Sequence, residues 1–157
     1  MMTPLRPTVT STLRSTTVPP SALWEVYEKF SWETFDKSVK TVAPATSTSA
    51  KLQIGAPINI STVSPSFSGK TNILACFKDQ KGAGQFTFAL PLNPMCTVTR
   101  TYDIDVCAQT GATSVTHGVR YDGALKFLYE GGLTEEALQD SVEKLLEEAK
   151  AATPTLP

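Results

Sequence analysis

Hydrophobic and polar residues alternate through two stretches near the end of this chain, and then the spacing changes. From Val119 to Glu130, Val119, Tyr121, Leu125, Phe127 and Tyr129 fall on one side, and Arg120, Asp122, Lys126 and Glu130 on the other. Arg100 to Gln109 sorts the same way, with Tyr102, Ile104, Val106 and Ala108 against Asp103, Asp105 and Cys107. Period-two alternation predicts strands of a sheet with one buried and one wet face. From Leu133 onward the period becomes helical. Thr134 suits an N-cap, Glu135 and Glu136 suit the positive end of the helix dipole, and Leu133 can staple onto Leu138. Leu138, Val142, Leu145, Leu146 and Ala149 then make one apolar stripe, which requires a hydrophobic surface to cover.

Upstream, short strand-like runs (KLQIG, PINISTV, KTNILACFKD, QFTFALPL, CTVTRTYDIDVCAQ) are separated by Gly55, Pro57, Pro65, Gly69, Gly82, Gly84, Pro91, Pro94 and Gly111. That punctuation predicts an antiparallel meander. Ser21 to Val42 reads as a helix through Leu23, Val26, Tyr27 and Phe30, although Trp24, Val26, Trp32 and Thr34 also tolerate a strand. Residues 1–20, rich in Thr, Ser and Pro, read as an extended arm, and Ala43 to Ala50 as a linker. The expected division is an arm and extension over 1–50 and a sheet-and-helix domain over 51–157.

Composition narrows the function classes. Of 157 residues, 41% are hydrophobic and 18% charged, and the formal net charge is −1, so no bulk attraction to a polyanion is built in. The N-terminus lacks the apolar core of a signal peptide, and no apolar run reaches membrane-spanning length, which predicts folding in a cytoplasm. Cys76, Cys96 and Cys107 are odd in number and have no paired spacing, so reduced thiols are expected rather than disulfides or zinc.

Candidate chemistry is sparse. His117, the single histidine, falls in a stretch expected to be a loop, AQTGATSVTHG, with no nucleophile placed beside it. GKT at Gly69 lacks the upstream glycine of a phosphate-binding loop, and KGAGQ at Lys81 is no dinucleotide fingerprint, so both read as turns. Asp103, Asp105 and Asp122 share a wet face without a further ligand type. The residues thus point to no enzyme, no metal and no cofactor.

Two motifs, in their order, carry a family resemblance. In QFTFALPLNPMCTVTRTYDIDVCAQ an alternating strand passes through a polar turn to a basic residue and a tyrosine that opens the next strand. In VRYDGALKFLYEGGLTEEAL an aromatic strand runs through a short turn to a Thr-acid-acid helix start. This arrangement resembles the coat proteins of leviviruses, the single-stranded RNA bacteriophages, over about Gln85 to Lys150 and more loosely over Lys51 to Gln80. The resemblance implies an α+β fold, an antiparallel meander and a C-terminal helix that packs on the sheet of a dimer partner; the N-terminal extension with its helix, read from the residues, lies outside the resemblance. It implies a helix–sheet dimer interface of Phe86, Phe88, Tyr102, Ile104, Leu125, Phe127, Leu138, Val142, Leu145 and Leu146. It further implies self-assembly into a T=3 icosahedral capsid around single-stranded genomic RNA. The virion would then be its location, after assembly in a host bacterial cytoplasm, with neither a membrane nor a small-molecule partner. RNA would meet Gln85, Thr87, Arg120, Tyr121 and Lys126, and an RNA hairpin would extend the role to translational repression. The sequence departs from the family there, because Asp103 and Asp105 repel phosphate and Asp122 stands where the stacking aromatic is expected. The alternative reading is a non-viral antiparallel sheet module whose C-terminal helix docks on a protein partner.

Overall fold

A computed structural model describes residues 8–45, 52–63, 66–93, 95–126, 129 and 132–152. The chain runs β1 (Thr8–Thr16), α1 (Pro20–Glu28), β2 (Val39–Pro44), β3 (Pro57–Val63), β4 (Ser66–Lys78), β5 (Gly84–Asn93), β6 (Cys96–Val106), β7 (Thr113–Asp122) and α2 (Glu135–Ala152). The seven strands form one sheet in the order β1-β7-β6-β5-β4-β3-β2, and every neighbouring pair is antiparallel.

Alternation decides which face is inside. Along β6, Cys96, Val98, Arg100, Tyr102 and Ile104 are buried while Thr97, Thr99, Thr101 and Asp103 are half-exposed. Phe86, Phe88 and Leu90 of β5 share that inner face, as do Val115, His117, Val119 and Tyr121 of β7. Register shifts at Val39/Thr41, Ile73/Ala75 and Pro91/Asn93 mark bulges, which bend a sheet and strengthen its twist.

The inner face is covered by the chain's own helices. α2 lies against β1, β7 and α1, burying Leu138, Ser141, Val142, Leu145, Leu146 and Ala149. At about 25 cal/mol per Å² of apolar area, each fully buried leucine contributes about 1.5–3 kcal/mol toward holding α2 down. α1 begins on Pro20 at the first helical turn, where a missing N–H costs nothing, and buries Ala22, Leu23, Trp24, Val26 and Tyr27.

Four expectations are corrected here. The C-terminal helix does not pack on a dimer partner's sheet, because the stripe that needed a cover finds it in the same chain. The N-terminal region is no extension outside the sheet: β1 pairs with β7 from Thr8↔Tyr121 to Thr16↔Thr113, and β2 closes the other edge. The helix expected over Ser21–Val42 stops at Glu28, since Phe30 turns left-handed at φ 55° and a single 3-10 turn, Trp32–Thr34, leads on to β2. The strand expected from Val119 to Glu130 starts earlier and ends at Asp122. Gly123 turns the chain there at φ +110°, where a Cβ would stand 2.1 Å from the Met95 carbonyl oxygen.

Candidate functional site

The inner face of β5, β6 and β7 is covered by aromatic rings from α1 and the 3-10 turn. Trp32, fully buried, stacks on Phe88 with centroids 5.4 Å apart, and Phe86 stacks on Tyr102 at 4.8 Å. Tyr27 of α1 meets Phe86 edge-on at 5.0 Å. The Trp32 indole N–H is satisfied by the Tyr27 carbonyl at 2.8 Å, so the largest side chain in the core leaves no orphan donor.

Two polar systems run through this packing. Asp36, just after the 3-10 turn, takes Arg100 Nη2 on Oδ2 at 2.7 Å and the Tyr102 hydroxyl on the same oxygen at 2.8 Å. Its Oδ1 accepts the Ser38 hydroxyl at 2.6 Å and the Ser38 backbone N–H at 2.9 Å. Arg100 also donates to Ser38 Oγ at 2.8 Å and to the Gly118 carbonyl at 3.4 Å. Burial alone would raise the Asp36 carboxyl, but the Arg100 guanidinium and the three donors outweigh it and hold the group well below the usual carboxylate range. Burial works against the Arg100 charge too, and Asp36 more than restores it. Among the described residues no buried side-chain nitrogen or oxygen lacks a partner.

The second system joins α1, β7 and α2. Ser141 gives its only hydroxyl proton to the Leu138 carbonyl at 2.6 Å, so at 2.7 Å its oxygen accepts from His117 Nδ1–H. Nε2 is then bare and accepts the Tyr27 hydroxyl proton at 2.8 Å. This fixes one neutral tautomer. Burial lowers the His117 pKa to about 3, with Arg100 adding to the effect and Asp36 opposing it.

Solvent reaches the grip at one end of α2. Ser15 and Thr16 at the end of β1, Thr17 just after it, Ala112 before β7, and Leu146 and Lys150 of α2 line a cleft of about 460 Å³. Leu146, 8% exposed, is its apolar wall, while hydroxyls and the Lys150 ammonium stand at the rim. A second cleft, of about 340 Å³, lies between α1 and the β4–β5 turn, where Trp24 donates to the Gly82 carbonyl at 2.6 Å and Lys78 pairs with Glu28 at 3.6 Å.

The residues named from sequence are scattered differently. Gln85 and Thr87 lie half-buried on the outer face of β5. Arg120, exposed, donates to Asp122 at 2.8 Å, so its charge is already engaged. Tyr121 faces inward and is fully buried, its hydroxyl oxygen accepting the Leu133 N–H at 3.2 Å, and Lys126 sits half-buried in the turn after Gly123. Phe86, Phe88, Tyr102, Ile104, Leu138, Val142, Leu145 and Leu146 meet in the core of the single chain, Leu125 is half-buried at its margin, and Phe127 lies outside the described residues. Asp103 on the outer face has its pKa raised by burial and by Asp105, and no group of three metal-ligating side chains occurs among the described residues.

Asp36 and Ser141 escaped the sequence reading, and His117, expected in a loop, lies instead on strand β7. Thr113, Val115, His117, Val119 and Tyr121 form an unbroken alternating run that carries the histidine to the inner face, and Ser141 stands one turn after Leu138 in the apolar stripe. Those two signals were present in the spacing. Asp36 gave none, because it lies in irregular chain.

No protein-family model matches the sequence, and no curated protein matches it. Solved structures do match, at low identity. Ginseng major latex-like protein 151 from Panax ginseng has a TM-score of 0.62 at 10% identity, covering 92% of this chain and 96% of that one. A norcoclaurine synthase point mutant from Thalictrum, in complex with a transition-state analogue, has 0.60 at 10%, covering 96% and 98%. A START superfamily protein from Mycobacterium smegmatis has 0.54 at 10%, covering 91% and 94%. The seven-stranded sheet gripped by a C-terminal helix is the Bet v 1/START fold. The likeness is one of fold.

The levivirus resemblance is thereby overturned, and what it implied is corrected with it. Neighbours of this fold replace the capsid, the RNA-filled shell and the homodimer as the frame for function, and the virion location and host-bacterial assembly fall too. The reason is topological. Strand–strand–helix endings of similar spacing serve both folds, and what separates them is β1, which here pairs along β7 and places α2 over its own sheet.

Proposed function

We propose that this protein binds a small amphipathic organic molecule at the mouth of its helix grip, between α2, the end of β1 and the turn before β7. The observation that carries the reading is the cleft of about 460 Å³ there, a volume in the range of small-molecule sites, with Leu146 as apolar wall and Ser15, Thr17 and Lys150 as polar rim. An apolar body against Leu146 with an anionic head at Lys150 satisfies both parts. The aromatic filling of the deeper space favours a ligand held at the mouth. Binding rather than catalysis is the role proposed. Among the described residues the lining presents no carboxylate or imidazole to move a proton, and the buried histidine has both ring nitrogens engaged. A norcoclaurine synthase shares the fold, so the same scaffold does carry chemistry elsewhere.

Titration with a medium-chain carboxylate such as decanoate, followed by calorimetry, tests this. Saturable binding is expected, about tenfold weaker in Lys150→Glu and abolished in Ala112→Trp, which fills the cleft from an exposed position. Binding that survives both substitutions unchanged would place the ligand elsewhere and remove the reading.

A further inference from the structure

We propose that the Tyr27–His117–Ser141 chain is a proton-released latch that holds α2 on the sheet and frees it when His117 becomes protonated. As regulation of the mouth it rests on the binding reading above, but the latch stands on its own geometry. One imidazole bridges three elements: α1 through Tyr27 at 2.8 Å, β7 through its own backbone, and α2 through Ser141 at 2.7 Å. A single side chain on the sheet thus ties α2 to α1. The proton inventory leaves no vacancy. Nε2 is an acceptor, and a second ring proton there would confront the Tyr27 hydroxyl proton, so the hydroxyl would have to rotate and its proton would need a new acceptor in a fully buried position.

The surroundings oppose the charge from most sides. β6 supplies Arg100 and Tyr102, whose ring lies edge-on 4.7 Å from the imidazole. α1 supplies Tyr27, and the loop after the 3-10 turn supplies Phe35 at 6.0 Å and Asp36, an anion already committed to Arg100. α2 supplies Ser141, and β1 runs opposite with Thr12 in register. Tyr27 and Tyr102 have pKa values raised by burial, so neither titrates near neutrality.

The sign follows from linkage. An imidazole exposed by opening takes a proton at about 6.5, while the closed one resists down to about 3. The open form therefore binds more protons in that window, and closure is favoured fully above about pH 6.5 and weakens as pH falls. Each pH unit below about 6.5 multiplies the open population about tenfold. Asp103, raised by burial, shifts in the opposite direction, but it faces outward and is unaffected by substitutions at His117.

Amide hydrogen exchange from pH 7.5 to 4.5, corrected for intrinsic rates, reads the opening directly. In the native sequence the opening constant over residues 135–152 should rise about tenfold per unit below pH 6.5, while the β5 and β6 amides stay protected. His117→Gln, which keeps a donor and an acceptor but cannot charge, should flatten that slope. Ser141→Ala, for the case in which His117→Gln fails to fold, should raise opening at pH 7.5 and leave the slope in place. An equal slope in His117→Gln, a flat slope in Ser141→Ala, or loss of sheet protection together with that of α2 would overturn the latch. Decanoate binding that ignores pH while the exchange slope is present would count against the ligand reading and leave the latch intact.

Discussion

Removing Asp36 should cost this protein a large part of its stability, and removing Arg100 as well should restore most of it. The two side chains are buried, Asp36 3% and Arg100 1% exposed, and joined at 2.7 Å. In Asp36→Ala the guanidinium stays in the core without its counter-charge, and the Tyr102 and Ser38 hydroxyls lose their acceptor. Breaking a buried pair from one side typically costs about 3–5 kcal/mol. A domain of this size has about 5–15 kcal/mol in total, so the variant should be close to unfolding. With a urea slope of about 2 kcal/mol/M, a 4 kcal/mol loss moves the midpoint by about 2 M. Arg100→Met alone should cost less, because the stranded carboxyl can take a proton. The double variant Asp36→Ala/Arg100→Met carries no buried charge and should lie within about 1 kcal/mol of the native protein, as replaced ion pairs often do. The coupling read from the cycle is then about 3 kcal/mol or more. A pH series adds a check, since the lowered Asp36 carboxyl stabilises fully above its ordinary value of 3.8 and loses that contribution as pH falls through its lower folded value. The gap between native protein and Asp36→Ala should therefore narrow only below about pH 4. Single losses that simply add in the double variant, or an Asp36→Ala loss under about 1 kcal/mol, would show that the pair is not the desolvated bridge described.

Two further outcomes concern the packed interior and the turn that ends β7. Trp32→Ala should cost about 3–5 kcal/mol and open an aromatic-lined cavity beside Phe86 and Phe88, so an apolar dye that the native protein ignores should bind it saturably. A variant that loses stability without gaining dye binding would mean that the core collapses into the gap. Gly123→Ala should lower stability by at least about 1–3 kcal/mol, from the backbone conformation alone, before the clash with Met95 is counted. An unchanged thermal midpoint would place the turn elsewhere.

The periodic elements were legible in the sequence because their signals are local. The stripe from Leu138 to Ala149 and the alternation through Tyr102 and Ile104 each declare an element and a buried face within ten or so residues. What covers what was not legible, since an apolar stripe is equally satisfied by its own sheet or by another's. β1 escaped for a different reason: a sheet edge is held by backbone hydrogen bonds that any composition can make, so Thr8–Thr16 reads as an arm until its partner β7 is seen. His117 reads as a loop residue because the stretch AQTGATSVTHG around it is small and polar, whereas the chain reverses at Gly111, φ +73°, and β7 is already running at Thr113. Asp36 and Ser38 had no period to betray them. Their importance comes from Arg100, which the alternation of β6 carries inside and which then requires an anion wherever the chain can supply one.

The pairing of β1 with β7 also dictates how the molecule is made. β1 must wait for a partner synthesised about a hundred residues after it, and β2 to β6 can zip up as successive hairpins in the meantime. Throughout that interval β1 is an unpaired strand of Thr, Ser and Val, open to mispairing with other nascent chains. Closure of the sheet and arrival of α2 then follow closely on one another, since α2 begins at Glu135, soon after β7 ends at Asp122. Translation truncated before β7 should leave no stable grip at all, and slow, vectorial synthesis should favour soluble product over rapid refolding from denaturant.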